Sequence, residues 1–192
     1  MLIYVSGWHQ DGSTNLEAGC AFTFGDIQDR EASCHEGISF RLENRGPYGE
    51  YGPINGHRAT LRAVVGALQF RNWSDDEFSE LVIATDSKWL TDNSEGDVWK
   101  RWQERKLECW EGRDKTFFWE KNEHLPHRDL WQLLAFEVDW HAEHNLKVKL
   151  WKTTENGAHM ATVKAAKQAA SFAEVEHFTA YRGRLPVGDI IN

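Results

Sequence analysis

The sequence predicts an α/β fold: a five-stranded mixed sheet, three strands antiparallel and two parallel, flanked by helices. Three observations point there. The N-terminal quarter alternates short β-branched and aromatic runs with turn-forming residues, the pattern of an antiparallel ribbon. From His57 onward, segments with apolar residues at helical spacing alternate with compact apolar runs, as expected of strands joined through helices. With 192 residues and 41% hydrophobic side chains, the chain has the size of one globular domain, able to bury roughly 70% of the surface its unfolded form exposes.

The elements follow in order. LIYVS and AGCAFTF flank the turn-rich HQDGSTN and read as a hairpin. A third strand is expected around Ser33–Leu42, where Ile38, Phe40 and Leu42 alternate with Ser39 and Arg41. Residues 43–56 are rich in Gly and Pro and read as a surface loop without a phosphate-cradling glycine pattern. Apolar positions 64, 67 and 68 with 59, 63 and 70 place a helix over His57–Arg71, and Leu81–Thr85 is a compact strand ending at Asp86. A short helix follows, then a helix over Asp97–Lys106 with Trp99 and Trp102 three residues apart, then an irregular segment to Pro126. Leu130, Leu133, Leu134 and Val138 form the stripe of a helix from about His127 to His144, Leu146–Trp151 alternates as a strand, and an Ala-rich helix runs from about Ala158 to Phe172. Residues 1–172 are expected as a single domain and residues 173–192 as a C-terminal tail.

Composition restricts the partners. The chain carries 22 Lys+Arg against 30 Asp+Glu, a net charge of −8, which opposes the counterion release behind most nucleic-acid binding unless basic residues gather on one face. Residues 1–99 hold 7 basic and 16 acidic side chains, residues 100–152 hold 11 and 10, and residues 153–192 hold 4 of each. The middle stretch alone suits a phosphate backbone. Three cysteines without a C-x-x-C pair fit a reducing compartment, no apolar run approaches the roughly 18 residues of a membrane span, and the start MLIYVSGWHQDG lacks a signal-like core. The expectation is an intracellular protein of nucleus or cytoplasm, away from membranes.

Several motifs carry a resemblance. HRATLRAVVGALQFRNW, LVIATDSKWL, VWKRW and HRDLWQLL occur in that order, and IYVSGWHQDGSTNLEAGCAF precedes them. Together they resemble type 1 ribonuclease H, in particular its filamentous-fungal branch: its N-R-A-E-L-R-A helix, its strand ending in T-D-S, its tryptophan-bearing third helix, its N-x-D-L-W helix and its V-D-G-x-x-x-N-G opening. The resemblance spans most of residues 2–170 and implies a ribonuclease H-like fold. It also implies a site of four carboxylates, three Asp and one Glu, clamping two Mg²⁺ ions around a phosphodiester. On this chain those positions fall on Ser6, Thr60, Asp86 and Thr162, the last by an ungapped alignment of Ala161 and Ala165; a gapped one puts it on Met160 or His159. One carboxylate of four survives. Hydroxyls are neutral at pH 7, whereas Mg²⁺ sheds water reluctantly and is held mainly by charge, so Mg²⁺ binding is expected to be lost.

Other constellations stand beside it. His9, His57, His159 and Asp86 offer nitrogen and oxygen ligands suited to Zn²⁺ or Mn²⁺ if the fold gathers them. The pairs His124/His127 and His141/His144 are spaced for one helical face but read better as surface histidines. Lys100, Arg101, Arg105 and Lys106, interleaved with tryptophans, occupy the region where the family carries a nucleic-acid-gripping extension. Asn55 and His57 match the region where the family touches RNA 2′-hydroxyls, with His57 in place of its usual Asn. Trp8 stands two positions past Ser6, where strand alternation would lay its indole over the vacated metal pit.

The expected function is therefore that of a catalytically inactive ribonuclease H-like pseudoenzyme serving as a binding module. Its acidic balance favours a protein partner over RNA or an RNA–DNA hybrid. The rival expectation is an active RNA–DNA hybrid nuclease with a metal site remodelled around Asp86.

Overall fold

The computed structural model describes residues 1–10, 17–25, 36–75, 78–95, 126–154 and 157–180. Its strands are β1 (Leu2–His9), β2 (Ala18–Gly25), β3 (Glu36–Arg41), β4 (Glu80–Thr85) and β5 (Lys147–Lys152), in one sheet of order β3-β2-β1-β4-β5. β1 pairs antiparallel with β2, and β2 with β3, while β1–β4 and β4–β5 are parallel. This is the mixed sheet expected from the sequence, and the described helices are α1 (Gly56–Gln69), α2 (Lys88–Glu95), α3 (Arg128–Glu143) and α4 (Gly157–Ala169). The helix expected over residues 97–106 lies outside the described residues, as do Lys100, Arg101, Arg105 and Lys106.

Two glycines fix how helices approach the sheet. A Cβ on Gly7 of β1 would collide with the backbone of Ala59 and Thr60 in α1, and one on Gly19 of β2 would collide with the backbone of Ala166 and Ala170 at the end of α4. Gly7 pairs with Cys20 and Gly19 with Trp8, so the two glycines face opposite sides of the sheet. α1 and α4 therefore sit on opposite faces, each in direct backbone contact with a strand, a closeness that any larger residue would prevent.

The core lies between the sheet and α1. Ile3, Val5, Phe22, Leu61, Leu68 and Ile83 are almost fully buried there, and Trp73 is enclosed with its Nε1 donating to the Ala67 carbonyl at 2.8 Å. Asn55 starts α1 as its N-cap, accepting from Arg58 N at 2.9 Å and satisfying one of the helix's orphan donors. Asn145, in the left-handed region at φ 61°, ends α3, and Leu146 N returns to the His141 carbonyl at 2.9 Å.

Because α1 is buried along most of its length, its two arginines point inward and require partners. Arg58 grips Asp129 of α3 with two bonds, at 2.9 and 2.5 Å, and Arg62 grips Glu43 with two, at 2.9 and 2.7 Å. Residues 174–179 complete the second site: Phe178 stacks on the Arg62 guanidinium opposite Phe40, the Thr179 carbonyl accepts from Arg62, and Thr179 N donates to Glu43. Glu176 adds hydrogen bonds from Asn44, Arg45 and Tyr51, which hold its carboxyl down to about 2. Among the described residues, no helix is long and apolar enough to cross a membrane.

Candidate functional site

β1 and β4 run parallel with Tyr4 opposite Ala84, so continuing that register sets Ser6 beside Asp86, about one strand spacing of 4.8 Å away. Thr60 joins them from the other side, since its backbone abuts Gly7. Three of the four expected positions thus meet at the C-terminal end of the central strands. Ser6 and Thr60 are buried, and the Thr60 hydroxyl donates to the Gly56 carbonyl of its own helix at 2.9 Å. Asp86, beyond the end of β4, keeps half its side chain in solvent.

On α4 it is His159, rather than Thr162, that faces Asp86. His159 is fully buried, with Nε2 3.2 Å from Asp86 Oδ2, an ion pair when the imidazole is protonated, and its ring lies beside Tyr4. Thr162 lies one turn further on and shares a 2.6 Å hydrogen bond with Thr23 of β2, and it also donates to the Ala158 carbonyl. Met160 is half exposed. The contact of Gly19 with Ala166 seats α4 so that Thr162 meets Thr23 of β2 while His159 lies beside Tyr4 of β1 and faces Asp86.

The other candidates are dispersed. Asn55 is engaged as a helix cap. His57 is exposed and stacks on Trp89 of α2, with ring centres 4.5 Å apart and planes 7° from parallel, and Trp89 in turn meets His127 and Trp131. His127 is buried, and desolvation with the neighbouring Arg58 charge pushes its imidazole down to about 4. His141 sits in the core, its Nε2 3.1 Å from the Leu68 carbonyl, so neither histidine is the surface residue the spacing suggested. Among the described residues, no three His, Cys, Asp or Glu side chains are grouped to hold a metal, so His9 and His57 do not join the His159–Asp86 pair. Trp8 lies in β1 on the α4 side with the Lys167 ammonium 5.7 Å from its ring centre. Lys167 stands two helical turns past His159, about 12 Å along the axis. The His57–Trp89–Trp131 cluster has one signal in the sequence, the tryptophan two residues beyond the T-D-S turn.

One carboxylate, one imidazole and two hydroxyls do not fit a pair of Mg²⁺ ions. Such ions about 3.5–4 Å apart repel each other strongly and need several negative ligands between them. His159 sets an imidazole 3.2 Å from the Asp86 carboxylate, and it adds positive charge there when it is protonated.

Solved structures with this architecture include the foamy viral protease–reverse transcriptase in complex with double-stranded DNA, at 14% identity and TM-score 0.57, over 88% of this chain and 93% of that one. LC9-RNase H1, a type 1 RNase H with the type 2 active-site motif, is similar at 15% identity and TM-score 0.55, over 88% of this chain and 71% of that one. The foamy viral enzyme with an RNA/DNA hybrid is similar at 12% identity and TM-score 0.53, over 88% of this chain and 20% of that one. No family model and no curated protein matches the chain. The chain has the ribonuclease H-like fold, a five-stranded mixed sheet flanked by helices.

Proposed function

We propose that this chain is a catalytically inactive relative of type 1 ribonuclease H, with motifs in the character of the filamentous-fungal branch, retained as a binding module of the nucleus or cytoplasm. The single observation that carries the reading is the donor set around Asp86: Ser6, Thr60 and His159 stand where three more carboxylates would be needed, and His159 faces the remaining one at 3.2 Å. Trp8 has its ring beside Lys167 of α4. The fold supports a nucleic-acid ligand as a class, because the foamy viral enzyme of the same architecture was solved with double-stranded DNA and with an RNA/DNA hybrid. The acidic balance keeps a protein partner as the other class.

The test pairs chemistry with metal binding. Labelled RNA–DNA hybrid incubated with the protein in Mg²⁺ and in Mn²⁺ is expected to stay intact, and neither ion should raise the melting temperature. The combined variant Ser6→Asp, Thr60→Glu and His159→Asp is expected to gain Mg²⁺-dependent thermal stabilisation, because ligands that bind only the folded state stabilise it by mass action. Hybrid cleavage by the natural sequence that disappears in Asp86→Asn would instead establish the remodelled nuclease.

A further inference from the structure

Residues 45–52 form a small loop laid against the first turns of α1 and α3. Gly46 N donates to the Glu50 carbonyl at 2.7 Å, Gly49 N to the Gly46 carbonyl at 3.0 Å, and Gly52 N to the Asn44 carbonyl at 3.2 Å. Two of these glycines make the contact possible. A Cβ on Gly52 would strike the Arg58 guanidinium, and one on Gly46 would strike Glu50 Oε1 and Asp129 Oδ2 at once, with Arg58 Nη2 3.0 Å away. Two carboxyl groups therefore converge beside Gly46, Glu50 from the loop and Asp129 from α3, and they hydrogen-bond each other.

Two carboxyls in such contact need a proton between them or a cation for each. One cation is present. Both Arg58 bonds go to Asp129, at 2.9 and 2.5 Å, and its buried Nε makes no hydrogen bond among the described residues. Glu50 is left to hold on as a donor. Burial, with the Asp129 hydrogen bond and charge, lifts its carboxyl above the ordinary 4.5, against the pull of its own backbone N–H and of Arg58. Burial also acts to raise Asp129, but the bonds and charge of Arg58 and the hydrogen bond from Glu50 hold it below its ordinary 3.8. The shared proton therefore belongs to Glu50, and Asp129 accepts it. Tyr48 in the loop is a phenol pushed further from ionising by burial and by the two acids, and His127 of α3 is neutral above about 4. Neither supplies a cation in place of the proton. Glu50 is exposed, so its proton exchanges directly with solvent.

We propose that this loop is a proton-operated latch: while Glu50 keeps its proton the loop tip is fastened to Asp129, and when the proton passes to solvent the two carboxylates repel and the tip, Tyr48 included, is released. The contacts of Arg45 and Tyr51 with Glu176 secure the other side of the loop, so the movement is confined to its tip. A carboxyl raised in the folded state contributes in full below 4.5 and loses that contribution as pH rises through its folded value, the opposite sense to His127. The latch is independent of any catalysis. An NMR titration of the full chain from pH 4 to 7.5 tests it, following the Glu50 side-chain carboxyl carbon, the amides of residues 46–52 and their hydrogen exchange corrected for its intrinsic pH dependence. The Glu50 carboxyl is expected to titrate above 4.5, the loop amides to shift with the same midpoint, and the Gly46 and Gly49 amides to lose protection severalfold beyond it. Glu50→Gln keeps a donor for Asp129 at every pH and is expected to abolish the step with the loop closed, whereas Glu50→Ala is expected to show the open-loop shifts throughout. A Glu50 carboxyl titrating at or below 4.5, loop amides that do not follow it, closed-loop shifts in Glu50→Ala, or a step that persists in Glu50→Gln, as it would if His57 or His127 drove it, overturns the proposal.

Discussion

At the scale of single residues, burial is what separates the histidines. His127, enclosed at the start of α3 and close to Arg58, titrates at about 4 instead of its ordinary 6.5, and His141 is lowered by burial in the same direction. The unfolded chain therefore binds protons that the folded one refuses, so this contribution to stability is complete above about 6.5 and is lost as pH falls towards 4. Glu176 acts in a lower window: its carboxylate, held down to about 2 by Asn44, Arg45 and Tyr51, contributes above 4.5 and fades as pH falls to about 2. Urea midpoints measured from pH 7 to 4 should decline, and His127→Asn should flatten the decline. Asn is the fitting replacement because position 127 has φ 60°, a conformation that Asn adopts more readily than most residues.

At the scale of elements, α1 is a helix whose polar groups are buried rather than solvated. Arg62 and Glu43 are both nearly inaccessible and joined by two hydrogen bonds, so their value lies in mutual neutralisation. Removing one partner leaves a buried charge unpaired. Glu43→Ala is expected to cost about 3–5 kcal/mol in chemical denaturation. Arg62→Met combined with Glu43→Leu is expected to recover much of that loss, since an apolar pair of similar volume carries no desolvation penalty. A double variant no more stable than Glu43→Ala alone would mean that packing of Arg62 between Phe40 and Phe178 matters more than its charge. The apolar spacing over His57–Arg71 located this helix to within a residue or two, but the spacing treats Arg58 and Arg62 as ordinary polar positions. Their burial follows from α3 and residues 174–179 closing over them, which is information held far along the chain.

At the scale of the whole molecule, the extent of the folded unit is a measurable quantity. Residues 173–192 have the composition of a tail, yet Phe178 and Thr179 contact the Arg62–Glu43 pair, and the Val175 and Glu176 carbonyls accept from Asn44 N and Arg45 N. Deleting residues 174–192 is expected to lower the melting temperature by about 4–8 °C, taking about 2 kcal/mol of lost contacts at the sensitivity of a domain this size. An unchanged melting curve would make the segment a passive tail. The same contacts brace the strand and loop leading into α1, so the truncated chain should also show faster amide exchange over residues 43–55.

Local residue patterns are enough to place the sheet and the order of its elements. Period-two alternation in Ile38–Leu42, the compact run Leu81–Thr85 and the apolar stripe of Leu130 to Val138 are local signals, and each element can be read without knowing what it packs against. Residue identity at Ser6 and Thr60 likewise needs no coordinates once their strand and helix are placed. Which residue of α4 meets Asp86 is a matter of packing. Counting along the helix favours Thr162, but the contact of Gly19 with Ala166 sets the helix's height over the sheet and brings His159 there instead. The half-exposure of Trp151 on β5, likewise, is visible only in the structure. Periodicity reports that one side of a strand is apolar. Whether a helix covers the other side depends on where distant segments come to rest, and that is settled by packing between elements far apart in sequence.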